Sequence, residues 1–405
     1  MRIRAITLGL NLQLPLQRAV VASAAHFLTV GRQAFEEAGF AVQTTRLATQ
    51  PLADLLGDRP IHEAVAVATA IERACNQEGI EYISLGTLIP EAARELLPLI
   101  PDIIAATEMC FLSTMVASRA AGIDLPAIRE TGRSIKRIGE TTARGFGNAR
   151  FAALANCPPH IPFFPGAYHL GERARFTLAL EGADVVQGVF DAHTPLEDLR
   201  LRGVDAVQRL AARIEVVAGR LAAAHGVTFG GLDFSTAPFP VPEISAAGAL
   251  ERLGLEAFGA PGTLFAAAFT ADILRRSRFT KAGYCGVFLP ILEDAVLAER
   301  NAAGTYTLES LLLCAAVCGT GLDTIPLPGD ITAEELASIV LDVATLAVAL
   351  DKPLTARLFP IPGKRAGELT GFDFPYFADT RILAPKRRSS RGILQREEII
   401  SLTPR

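Results

Sequence analysis

The chain has 405 residues, 50% hydrophobic and 20% charged, a balance that excludes a disordered protein and allows a sizeable core. Its 39 basic and 43 acidic residues give a formal charge of −4, which excludes the concentrated basic field that nucleic-acid partners need. Six scattered cysteines in a chain this large read as reduced thiols, not a disulfide framework.

Ile3 to Leu10 reads as a strand and lacks the long apolar stretch and cleavage site of a secretory signal, so a cytoplasmic protein is expected. Leu16 to Ala38 reads as a helix and Phe40 to Leu47 as the next strand. A helix over Ile61 to Glu78, a strand over Ile80 to Ser84 and a helix over Pro90 to Leu99 follow. Strand and helix alternate, the pattern of parallel strands joined by crossover helices. Phe151 to Asn156 and Ala174 to Ala179 are the next strands, separated by the Pro- and Gly-rich stretch Cys157 to Gly171, which reads as an ordered functional loop.

Thr194-Pro195-Leu196-Glu197 is a capping box with proline at the first helical position, so a helix is expected from there to Gly226, broken near Gly203. Val227 to Asp233 reads as a strand, Ile244 to Leu253 and Thr263 to Leu274 as helices, and Tyr284 to Leu289 as a strand. A helix from Leu308 to Cys318 places Cys314 and Cys318 on one face, where apolar neighbours favour buried thiols over a redox pair. Thr332-Ala333-Glu334-Glu335 is a second capping box, opening a helix through Ala349; Leu354 to Phe359 reads as a late strand. The division expected is one large α/β domain over 1–384 and a solvated, disordered basic tail over 385–405. Every apolar segment is too short to span a bilayer.

In α/β folds of parallel strands, ligands gather beyond the strands' carboxyl ends. That rule selects Asp233, with Ser235 after it, as a base or metal ligand; the plainer reading is a carboxylate capping the coming turn. Glu293 and Asp294 follow an apolar run and supply paired carboxylates for acid and base work, although acidic residues also favour the first turn of any helix. Tyr168, His169 and Glu172 stand in a Gly-flanked loop, where an imidazole suits proton transfer or metal ligation; a structural loop histidine is the alternative. Gly319-Thr320-Gly321-Leu322-Asp323 is a turn whose amides suit an anion, with Asp323 entering the next strand. Lys364, between Gly363 and Arg365, is a candidate anion hook or a solvated turn residue.

Taken together, Gly166-Ala167-Tyr168-His169 with Gly171-Glu172, Leu232-Asp233-Phe234-Ser235 with Ala237-Pro238, Gly286 to Pro290 with Glu293-Asp294, Cys318 with Gly321-Leu322-Asp323, then Arg357, Pro360 and Gly363-Lys364 resemble the domain-of-unknown-function 711 family, also called uncharacterised protein family 0210. The resemblance implies a ten-stranded α/β barrel similar to the core of pyruvate formate-lyase, and brings no established activity. Glycyl-radical chemistry is not expected, because Leu369-Thr370-Gly371-Phe372 lacks the Arg-Val lead of a radical glycine.

Two functions are therefore expected. One is an enzyme acting on a small anionic metabolite, with His169, Asp233, Glu293 and Asp294 as acid, base or divalent-metal groups, Tyr168, Glu172, Ser235 and Asp323 as ligand contacts, and Lys364 orienting the anion. The other is a non-catalytic ligand-binding protein on the same scaffold. Both have a small-molecule partner, need no membrane or nucleic acid, and leave homo-oligomer formation open. They part on whether those side chains converge on one cavity.

Overall fold

A computed structural model describes residues 1–317 and 319–403; Cys318, and with it the expectation that Cys314 and Cys318 share one helix face as buried thiols, lies outside the described residues. The fold is mixed α/β, with eleven strands in one sheet among the described residues: β1 (Arg2–Gly9), β2 (Ala41–Ala48), β3 (Tyr82–Leu88), β4 (Cys110–Ser118), β5 (Gly122–Asp124), β6 (Phe151–Ala155), β7 (Arg175–Leu180), β8 (Thr228–Asp233), β9 (Gly321–Pro328), β10 (Leu354–Ile361) and β11 (Ile399–Ile400). Nine follow the order β8-β7-β1-β2-β3-β4-β6-β10-β9, while β5 pairs with β4 and β11 with β5.

The strands are not uniformly parallel. β1, β2, β3, β4 and β6 run one way; β7 and β8 at one end and β10 and β9 at the other run against them. One rim therefore gathers the starts of the first five and the finishes of the other four. The outer strands do not end in solvent. Leu232 of β8 bridges Lys281, and Asp323 of β9 bridges Pro290, so segment 281–290 touches both edges of the nine-strand path. The strand expected over Tyr284 to Leu289 does not form there. Its Tyr284 and Cys285 amides donate to the Asp233 side chain instead of to a ladder, and Gly283 (φ +66°) turns the chain where a Cβ would lie 2.1 Å from that carboxylate.

Alternation along each strand separates the two faces. On β6, Phe151, Ala153 and Ala155 join the main core, which includes the helices, whereas Ala152 and Leu154 pack against Ile161 and Phe163 of the loop after β6. That loop, expected to be ordered, crosses the face of the sheet opposite the main core. The Thr7 hydroxyl donates to the Pro162 carbonyl at 2.8 Å and the Ser84 hydroxyl to the Ala167 carbonyl at 2.6 Å. Small residues on that face, Ala5, Ala152 and Ala179, leave it room.

Helix Leu196–His225 runs through Gly203, which packs so closely on Ile273 that a Cβ would lie 3.0 Å from it. The Thr332 capping box forms as expected, both bonds being present. Helix Leu125–Thr141 and strand β4 went unread in the sequence; Pro126 and the polar face of that helix hide an amphipathic element capped by Asp124. The end of the chain, expected to be a solvated tail, carries the helical turn Arg391–Leu394, buries Leu394 and pairs β11 with β5. Among the described residues no helix is long and apolar enough to cross a membrane.

Candidate functional site: an arginine-lined cavity

A cavity of about 670 Å³ opens at the rim where β1 to β4 and β6 begin, within the range of small-molecule sites. For the longest parallel block this is the amino end, opposite to the end singled out by the strand-order rule. Four arginines reach it: Arg4 from β1, Arg46 from β2, Arg150 just before β6 and Arg357 from β10. A charged side chain within a strand is buried only with compensation, so each guanidinium's partners decide its role.

Arg4 sits at a β-bulge, where the register with β7 slips between Ile3 and Ala5. Bulges re-aim side chains, and Arg4 lines the cavity alongside Thr44, the register partner of Ala5. It pairs with Glu293, lies 3.5 Å from Glu181 and donates to the Pro238 carbonyl at 3.1 Å. Arg357 donates to both oxygens of Asp323 at 2.5 and 3.0 Å and to Glu293 at 2.7 Å. Arg150 donates to the carbonyls of Ile104 and Cys110 and to the Thr107 hydroxyl. These three are held by the protein itself.

Arg46 is different. Its Nε donates to the Thr44 hydroxyl at 2.9 Å, and its guanidinium carbon lies 5.7 Å from the Tyr82 ring centre and 5.1 Å from that of Phe164. Neither terminal nitrogen has a hydrogen bond or ion pair among the described residues. Burial, then the neighbouring Arg4 charge, pushes this guanidinium down to about 10, against smaller upward pulls from Tyr82 and Glu293. Nearby, the buried Gln43 Oε1 has no hydrogen-bond partner either.

Of the nine residues selected from the sequence, Glu293 alone lines this cavity, and Asp323 stands behind Arg357. Burial would raise the Glu293 pKa, but Arg357 and Arg4 outweigh it and hold the carboxylate below its ordinary value. For Asp323, burial prevails over Arg357 and its pKa is raised. Asp294, next in sequence to Glu293, faces away. It caps helix Ala295–Ala303 through Leu297 N, and also accepts from Ala246 N, Ala247 N and the Ser245 hydroxyl at the start of helix Ala246–Glu251. Asp233 accepts from Ser235 N and Oγ and from the Tyr284 and Cys285 amides, so Asp233 and Ser235 tie segment 283–286 to β8.

His169 is fully buried beyond the far ends of β1 and β2. Its Nε2 bonds the Gly171 carbonyl at 2.9 Å, its amide donates to Thr49 O, and a Cβ on Gly9 would come within 2.7 Å of its unpartnered Nδ1. Burial lowers its pKa, against the bond to Gly171. Tyr168 donates to the Cys157 carbonyl at 3.0 Å, Glu172 is exposed, and Lys364, in a turn closed by its own amide to Ile361 O, does not line the cavity. The structure does not bring His169, Asp233 and Glu293 onto one cavity: His169 bonds the Gly171 carbonyl, Asp233 accepts from backbone amides, and Glu293 is taken by Arg4 and Arg357. Among the described residues no three His, Cys, Asp or Glu side chains gather in a way that could hold a metal ion.

The residues missed were Arg4, Gln43, Arg46, Tyr82 and Arg150. For Arg46 the signal is a lone arginine inside a strand-like run, Ala41-Val42-Gln43-Thr44-Thr45-Arg46-Leu47-Ala48, which has no reason to be there unless that face of the sheet is polar at that level.

Residues 1–376 match the family model described as Uncharacterised ACR (DUF711). A "UPF0210 protein" of Pyrobaculum arsenaticum is 36% identical over 349 residues, 82% of this chain and 76% of that one. One from Desulforudis audaxviator is 34% identical over 372 residues, covering 88% and 82%; one from Methanopyrus kandleri is 33% identical over 400 residues, covering 90% and 87%. The chain belongs to the domain-of-unknown-function 711 family, also called uncharacterised protein family 0210.

Proposed function

We propose that this protein binds a small anionic metabolite in the rim cavity, with Arg46 as the anchor of its negative group. One observation carries the reading: of the four guanidinia at the cavity, three have their donors taken by carboxylates and carbonyls, and Arg46 has both terminal nitrogens free. A mostly buried cation without a counter-ion is costly, and a bound carboxylate or phosphate oxygen pair supplies the planar acceptor it lacks. This is the ground common to the enzyme and binding-protein expectations. The binding reading is the better supported, because the acid and base groups chosen from the sequence lie apart and Glu293, clamped ionised by two arginines, is a poor proton acceptor.

The closed ten-stranded barrel belongs to the same proposal, the tenth element being segment 281–290 between β8 and β9; the bridges at Lys281 and Pro290 support it. The cavity is then one mouth of the barrel, plugged from within by the loop after β6.

The test is a thermal-shift and calorimetric panel of phosphate, acetate, citrate and benzoate on the whole chain. At least one anion stabilises the protein, Arg46→Gln removes the effect, and Lys364→Ala and His169→Ala keep it. An anion that binds the Arg46→Gln protein equally well defeats the reading.

A further inference from the structure

The cavity lining specifies the ligand's body as well as its charge, a specification that rests on the proposed role of Arg46 as anchor. Nine of the 26 residues around the space are Phe or Tyr, whereas aromatic residues make up 7% of the chain. Ile104 is the one branched aliphatic side chain among them, in a protein whose core is otherwise built largely from Leu, Ile and Val. A site needing only an apolar wall would draw on those residues; a wall of rings selects for planar π surfaces, which gain from stacked or edge-to-face contact beyond simple burial.

The rings form two groups. Tyr82, Phe111 and Phe164 meet edge to face, with centroids 5.5 and 5.1 Å apart, beside Arg46. Phe146, Phe374 and Phe377 do the same at 5.0 and 5.1 Å; the last two come from segment 371–379. That segment is closed at its neck by Asp379, which accepts from the Thr370 hydroxyl and the Gly371 amide. Charge narrows the choice further. One guanidinium is free, and Glu293 and Glu108 share the lining, so a second negative charge would meet carboxylates instead of a partner.

We infer that the ligand is a planar aromatic monocarboxylate, its ring between the two aromatic groups and its carboxylate on Arg46.

The discriminating experiment is calorimetric titration of the wild-type chain with 2-naphthoate, benzoate, cyclohexanecarboxylate, acetate and inorganic phosphate. Because the chain has no tryptophan, naphthoate fluorescence gives a second readout. The aromatic acids are expected to bind about tenfold tighter than cyclohexanecarboxylate, which matches benzoate in charge and nearly in size, the margin expected of ring contacts. Arg46→Gln should weaken naphthoate at least about tenfold, and Phe164→Leu should shrink the aromatic preference. If cyclohexanecarboxylate, acetate or phosphate binds as tightly as benzoate, the aromatic inference is overturned and the anion reading stands. If no anion binds, or Arg46→Gln binds naphthoate unchanged, both fall.

Discussion

Arg46 of β2 and Tyr82 of β3 are register partners across a parallel pair, and the guanidinium carbon stands 5.7 Å from the tyrosine ring centre. The ring offers some electrostatic relief but no hydrogen bond, so without ligand the charge remains poorly compensated.

Arg46→Met should therefore leave the unliganded protein as stable as wild type or slightly more so, within about 1 kcal/mol, since relief of desolvation offsets the lost Thr44 bond and ring contacts. Urea denaturation of the two proteins measures this. A loss above about 3 kcal/mol would mean that Arg46 has an internal partner after all.

Arg357→Met has the opposite expectation. It strips Asp323 and Glu293 of a shared cation while both stay buried, at a cost of about 3–5 kcal/mol. Adding Asp323→Asn should recover part of the loss, because one of the stranded charges goes with it. A double-mutant cycle of denaturation midpoints checks the coupling.

Asp233 supplies a pH signature. Burial pushes its pKa up to about 6, against four donors that favour the ionised form. A carboxyl whose folded pKa lies above its unfolded value stabilises the fold fully below the unfolded pKa, near 4, and loses that contribution as pH rises through 6. That contribution amounts to about 3 kcal/mol. Urea midpoints from pH 4 to 7 should fall more steeply in wild type than in Asp233→Asn; parallel curves would refute the shift.

Asp294→Ala removes the anchor of two helix starts at once, and about 2–4 kcal/mol of stability with it. Ligand affinity per folded molecule should not change. A selective loss of binding at full stability would instead return Asp294 to the site.

Much of the architecture was legible because strand and helix periodicities recur along the chain, and capping boxes such as Thr332 with Glu335 are local chemistry. The site was not, for a reason visible in its distances along the sequence. Glu293 meets Arg4 across 289 residues and Arg357 across 64, so topology alone decides which charges are neutralised and which is left over. Glu293 and Asp294 look interchangeable as neighbours in a turn, yet one faces the cavity and the other two helix starts. Direction of a side chain in a turn cannot be read from the spacing that locates it. The sheet's reversal at β1 to β7 and at β6 to β10 was equally silent, since strands of either sense carry the same alternation.

The loop that runs across the face opposite the main core has a consequence for how such a pocket changes over time. Strand β2 holds Arg46, whereas Phe163 and Phe164 of the cavity wall belong to the inserted loop, tethered to its surroundings in part through carbonyls at Pro162 and Ala167. Backbone tethers are indifferent to side-chain identity. Substitutions at 163 and 164 can reshape the cavity wall while those two tethers hold and Arg46 keeps its place on β2.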